Sequence, residues 1–167
     1  MNKVALLCLA ALAASPAPAL AKKKEARVAI TLPAPKAGKG QIVFYRPGGM
    51  GSAIKCTVRE NGKMVGRVSG NRYYVIDAEP GVHTFTAKSE ATDTVSVQVE
   101  PDETAFVKCK IAMGLMVGRP NLSPSTDLEF ANEAKLEPMD SAKIAEEIAK
   151  DESKSAAGAK AEAGASN

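Results

Sequence analysis

IKCTVRENGKMVGRV, residues 54–68, decides the reading of this chain. Ile54, Cys56 and Val58 alternate with Lys55, Thr57 and Arg59, the period of two that belongs to a half-buried strand. Asn61-Gly62 follows. Both residues tolerate positive φ, which a two-residue type I′ turn demands, so the segment predicts a β-hairpin with its return strand over 64–68. A strict two-residue turn would set Arg67 opposite Cys56, so the apolar phase calls either for a bulge or for burial that ends at Val65.

Working outward, the same texture continues on both sides. Ile42, Val43, Phe44 and Tyr45 form a run dense enough for a strand buried on both faces, stopped at Arg46-Pro47 and followed by Gly48, Gly49 and Gly51. Downstream, residues 73–76 supply a strand that Glu79-Pro80-Gly81 turns into another over 82–88. Val95, Val97 and Val99 alternate with Thr94, Ser96 and Gln98, and Pro101-Asp102 leads to Ala105, Val107, Cys109 and Ile111 in the same pattern. Leu128 and Phe130 read as a closing strand. About seven short strands separated by turn signals predict an all-β, immunoglobulin-like β-sandwich over residues 41–139 rather than an α/β enzyme.

The flanks differ from this domain. Residues 1–21 read as a cleavable secretory signal: Lys3 precedes an apolar run from Val4 to Ala14, and the segment closes on Ala19-Leu20-Ala21. The run is little more than half the roughly twenty residues that a bilayer crossing needs, so no stable membrane insertion is expected. Residues 22–40, with Pro33, Pro35, Gly38 and Gly40 among lysines, form a flexible leader in which only Val28, Ile30 and Leu32 could lay a short edge strand. Residues 140–151 read as a short helix, with Lys143–Glu147 and Glu146–Lys150 at i,i+4 spacing and Ile144 and Ile148 on one face. The Ala-rich tail, 152–167, has no large apolar side chain and is expected to be disordered.

Composition excludes more than it assigns. A formal charge of +3 over 167 residues, no Trp and a single basic cluster at 22–27 do not make a nucleic-acid binder. Export places Cys56 and Cys109, the cysteines left once the signal is removed, in an oxidising compartment, and each lies in phase with the apolar face of its strand. They are expected to form a disulfide; two reduced buried thiols are the alternative, and a redox dithiol fits poorly without close spacing at a helix start. His83 is the sole histidine, so a metal site or triad would have to run through it. Its place just past Pro80-Gly81 and one strand step from Phe85 suits an imidazole that donates to a nearby carbonyl. No metal or cofactor is implied: a tetrahedral zinc site needs a fourth ligand, and Gly48–Ser52 lacks the Lys-Ser/Thr end of a phosphate loop.

The segment 113–125 invites a partner. Leu115, Met116, Val117 and Arg119 lie between glycines, and flexible Met-containing apolar surface suits an adaptable partner-binding loop. The competing reading is that Leu115 and Val117 prolong the preceding strand across a bulge at Gly114 and pack in the core.

With Val43-Phe44-Tyr45-Arg46-Pro47, Asn61-Gly62 with Gly66, Tyr73-Tyr74 and Pro80-Gly81 before His83, the region from Gln41 to Leu136 resembles an uncharacterised bacterial envelope family, the domain of unknown function numbered 2846, and is similar to PEGA-type sandwich modules. The resemblance implies the fold and supplies no catalytic residues. Its members are commonly lipoproteins, whereas Cys8 lies too early, behind bulky Leu7, for a lipid-attachment box. The expectation is a periplasmic or secreted, non-enzymatic accessory or binding module of the cell envelope, with an envelope protein or peptide as partner and its oligomeric state open. A thiol redox protein or a small periplasmic hydrolase is the alternative.

Overall fold

The computed structural model describes residues 30–164, apart from 50, 52, 53, 90, 115–117 and 134, with side chains described to residue 158. The expected signal, residue Val28 and the loop residues Leu115, Met116 and Val117 therefore lie outside the described residues.

Two sheets pack face to face. One holds β1 (Gly40–Arg46), β4 (Arg72–Ala78), β7 (Thr104–Ala112), β8 (Arg119–Ser125) and the two-residue β9 (Glu137–Pro138), in the order β8-β7-β1-β4-β9. The other holds β2 (Cys56–Glu60), β3 (Lys63–Val68), β5 (Gly81–Lys88) and β6 (Thr92–Val99), in the order β3-β2-β5-β6. Neighbours run antiparallel except β1 with β7 and β4 with β9. The chain is an all-β sandwich, and the expected architecture holds.

The hairpin of 54–68 forms as its alternation requires. Asn61 and Gly62 turn with φ of 49° and 79°, and Glu60 faces Lys63. Arg59 pairs with Met64 but Val58 pairs with Gly66, so Val65 is the extra residue of a bulge, and Cys56 meets Val68 instead of Arg67. The bulge keeps Met64, Gly66 and Val68 on the buried face.

β1 lies between β4 and β7 and is buried along its whole length. Ile42 and Phe44 enter the core between the sheets with Val58, Val68, Tyr74, Phe85, Val95, Val97, Val99 and Val107. Val43 and Tyr45 point the other way, into a second cluster with Tyr73, Phe106, Phe130 and Leu136. Ile30 and Leu32 pack against that cluster as irregular chain, so the expected edge strand in the leader does not form there.

Three elements differ from expectation. Leu128 and Phe130 sit on a helix, α1 (Asp127–Asn132), and not on a closing strand. Thr126 caps it, accepting a hydrogen bond from the Glu129 amide at 3.1 Å, and Thr126-x-x-Glu129 is the spacing of a capping box. Phe130 then meets Tyr45 and Tyr73 edge-on at 5.2 and 5.3 Å, while Leu128 stays exposed. The strand beyond the 113–118 loop is β8, returning along β7 with Leu122 opposite Cys109. The C-terminal helix, α2 (Ser141–Gly164), starts where expected but continues through the segment expected to be disordered. Ala, Lys and Glu are strong helix formers, and a helix already nucleated propagates at little cost.

α2 closes the β3 side of the sandwich. Ile144 is buried against the main core, with Ile148, Val65 and Met139 packed beside it. Arg59 grips Asp151 through two nitrogens at 2.7 and 2.6 Å, and Lys150 bonds Glu146 at 2.6 Å. Glu147 turns from the expected Lys143 partner toward the sheet, bonding Lys55 at 3.1 Å. No helix of the described residues is long and apolar enough to cross a membrane.

Candidate functional site

The two cysteines are joined. Cys56 begins β2 on one sheet and Cys109 sits within β7 on the other, and their Cα atoms are 6.7 Å apart across the interior. The disulfide spans a sequence separation of 53 and is almost wholly buried, so it stitches the sheets together from inside.

His83 is committed to structure. Its Nε2 lies 2.7 Å from the Glu79 carbonyl and its Nδ1 2.7 Å from a Glu60 carboxylate oxygen, while the ring stacks on Phe85 at 6.1 Å. Both partners accept, so the imidazolium donates on both sides. Burial of the ring opposes that charge, but the Glu79 carbonyl and the Glu60 carboxylate outweigh it and raise the His83 pKa above its ordinary value. This bridge ties the strand end at Glu60 to the turn at 79–81.

The opposite end of the sandwich gathers loops. β1, β5 and β7 finish there and β2, β6 and β8 begin there, so the described residues of 47–55, 89–91 and 113–118 lie at one end. The first and last of these touch. A Cβ placed on Gly118 would lie 2.5 Å from Ile54 Cδ1 and 2.6 Å from Ile111 Cγ2, and one on Gly51 would lie 3.2 Å from Ile111 Cγ2. A side chain at Gly118 would force Ile54 and Ile111 to shift.

Beneath this contact lies Arg46, which sequence reasoning treated only as the end of a strand. It continues the inward row of Ile42 and Phe44 and is 2% exposed. Its Nη2 donates to the Gly51 carbonyl at 2.7 Å, while Nε and Nη1 have no hydrogen-bond partner among the described residues. Burial lowers its pKa. The strand parity Ile42-Phe44-Arg46 was the signal that could have placed this guanidinium inside.

Of the four residues read as a partner loop, only Arg119 is described. It begins β8, is exposed, and lines a groove of about 390 Å³ with Asp93, Lys110, Ile111, Pro120 and Asn121. Met113 stands 80% exposed at the departure of the same loop. β7 ends at Ala112, so the strand does not run on through Met113 and Gly114.

The chain belongs to a family described as protein of unknown function (DUF2846), whose model matches residues 36–120. The match runs from the approach to β1 to the first residues of β8. No curated protein and no solved structure matches the chain.

Proposed function

We propose that this chain is an exported, non-enzymatic accessory or binding module of the bacterial cell envelope, periplasmic or secreted after loss of residues 1–21, whose partner surface is the loop end around Arg119. One observation carries the reading: the side chains with the most chemistry to offer are built into the scaffold. Cys56 and Cys109 are bonded to each other in the interior, and His83 is held between Glu60 and Glu79 at the end away from the loops. What remains at the loop end is a groove beside a glycine-bordered, Met-containing loop, the kind of surface that recognises a protein or peptide by shape.

A buried disulfide supports folding in an oxidising compartment, in keeping with the secretory pattern of the first residues. The test follows both halves of the reading. The protein produced in a bacterium with its own leader should be recovered outside the cytoplasm, with a new amino terminus at Lys22. The Leu115→Ser, Met116→Ser, Val117→Ser variant, still disulfide-bonded, should lose the cross-linked envelope partners that the parent chain retains. Identical partner profiles for the two proteins refute the loop surface, and retention of the leader in the cytoplasm refutes export.

A further inference from the structure

We propose that the free edge of β6 pairs with the same edge of a second copy of this chain, joining two four-stranded sheets into one of eight. This surface is separate from the loop end and is one of four sheet edges, β8, β9, β3 and β6, among the described residues. An unpaired edge is a template for strand addition, and proteins commonly seal it with proline, charge, shortness or a cover.

Three edges are sealed. β9 is two residues long. β3 carries α2 packed along it, with Ile144, Ile148, Val65 and Met139 between them. β8 lies along β7 and has Pro120, Leu122 and Pro124 at alternate positions, whose backbone nitrogens make one set along the strand. Two of these have no N–H to offer, and the Leu122 N–H donates to the Asp93 carboxylate. The donors of this set are thus all removed.

β6 has none of these devices. Its sequence, TDTVSVQV, contains no proline and no lysine, and its one charge, Asp93, is turned to β8. Among the described residues it pairs only with β5. An open groove of about 430 Å³ runs beside it, between Ser96, Val97 and Gln98 on one side and Thr104, Ala105 and Pro124 on the other.

Charge selects the occupant. β6 ends at Val99 beside Glu100, Asp102 and Glu103, and its start at Thr92 pairs with Lys88 on β5. A two-fold axis through Ser96 runs the two copies antiparallel. It sets Val95 against Val97 over the core, Thr94 against Gln98 on the exposed face, and Thr92 against Glu100. Glu100 of one copy then lies one strand away from the other copy's Lys88, on the same face and about 9–10 Å between backbones, within reach of two long side chains. Within Thr92–Val99 no like charges meet across the pair, because the one charge there, Asp93, falls opposite Val99, so the strand complements itself as a two-fold interface requires.

Sedimentation equilibrium of the full chain with its disulfide intact, over micromolar to millimolar concentrations, provides the test. The parent should show a reversible monomer–dimer equilibrium. Ser96 is exposed and lies on the axis, so Ser96→Lys and Ser96→Glu each bring two like charges together and should weaken association about tenfold or more. Their equimolar mixture should recover parental association. A retained disulfide and unchanged circular dichroism confirm that each variant is folded. A parent that stays monomeric throughout, a Ser96→Lys variant that associates like the parent, or a mixture no tighter than either variant alone overturns the proposal.

Discussion

Reduction of the Cys56–Cys109 bond should cost this protein a large part of its stability, and the amount follows from the position of the bond. In the chain-entropy treatment, closing a loop of the observed separation of 53 removes roughly 14 cal/mol/K from the unfolded chain, or about 4 kcal/mol at about 25 °C. Reduction leaves both sulfur atoms in place in the core, so this loss is nearly free of any packing change. The Cys56→Ala, Cys109→Ala double variant should lose roughly 1–2 kcal/mol more, because it also deletes two buried sulfurs. Against a total of about 5–15 kcal/mol for an ordinary domain, either change is severe.

Urea unfolding with and without reductant measures the effect directly. For a slope of about 1.5 kcal/mol/M, the midpoint should fall by roughly 2–3 M, and the slope should steepen as the unlinked chain expands on unfolding. Because the bond is buried, reduction under native conditions should wait on opening of the fold. Coincident curves, or a midpoint shift under about 0.5 M, would refute the claim that the bond stitches the sheets. So would two thiols that react in the untreated native protein.

Two further outcomes follow from single side chains. His83 has a folded pKa raised from 6.5, so its protonated form favours the native state; its contribution is complete below the unfolded value and fades as pH rises through the folded one. The parent should therefore lose stability from about pH 6.5 upward relative to His83→Gln, and an imidazole that titrates below 6.5 by NMR sinks the argument. Gly66→Ala would bring a Cβ to 2.4 Å from Tyr74 Cζ, in a ring that is fully enclosed, so it should destabilise by about 1–3 kcal/mol. Tyr74→Phe should be close to neutral alone, since the Tyr74 hydroxyl has no partner among the described residues; it keeps Cζ and Cε2, the atoms nearest that Cβ, so full rescue of Gly66→Ala by Tyr74→Phe would contradict this packing.

The parts of the fold that could be read in advance are those where one local pattern leaves a single solution. Asn61-Gly62 left one place for the turn, and the chain turns there; of the two courses open to the return strand, a bulge or burial that ends at Val65, it takes the bulge, at Val65. The density of Ile42 to Tyr45 meant two buried faces, and β1 has them. Where two patterns competed, the weaker signal was misread. Leu128 and Phe130 show a spacing of two, but Thr126 and Glu129 supply a helix cap, and local hydrogen bonding decided the outcome. The strand β8 was not anticipated in the segment read as a partner loop; it carries Pro120 and Pro124, which an edge strand tolerates where no ladder N–H is needed. The tail after Asp151 lacks apolar side chains to bury, but it extends a helix already anchored by Ile144, Ile148 and the Arg59–Asp151 pair. Arg46 escaped because a charged residue beside proline reads as a strand end, whereas its side chain follows strand parity into the interior.

The sides of the sandwich are closed by different means, and the difference bears on where a partner can sit. At the β3 side the cover is α2, whose isoleucines enter the main core and whose Asp151 and Glu147 bind arginine and lysine from the hairpin. At the β6 side the polar closure centres on one side chain, the Asp93 carboxylate, which accepts from the Leu122 amide and from Asn121 Nδ2. The Leu122 contact does two things at once: it holds the edges of the two sheets together, and it consumes the donor that two prolines leave on β8. Asp93 therefore protects one edge with a side chain from the other and does nothing for the edge it comes from. A strand that adds to β6 would displace none of these bonds, whereas one that adds to β8 would have to break the contact and still find no N–H at Pro120 or Pro124. Asp93→Ala should accordingly loosen the closure between the sheets without making β8 a competent edge, so strand addition on this side of the sandwich is directed to β6.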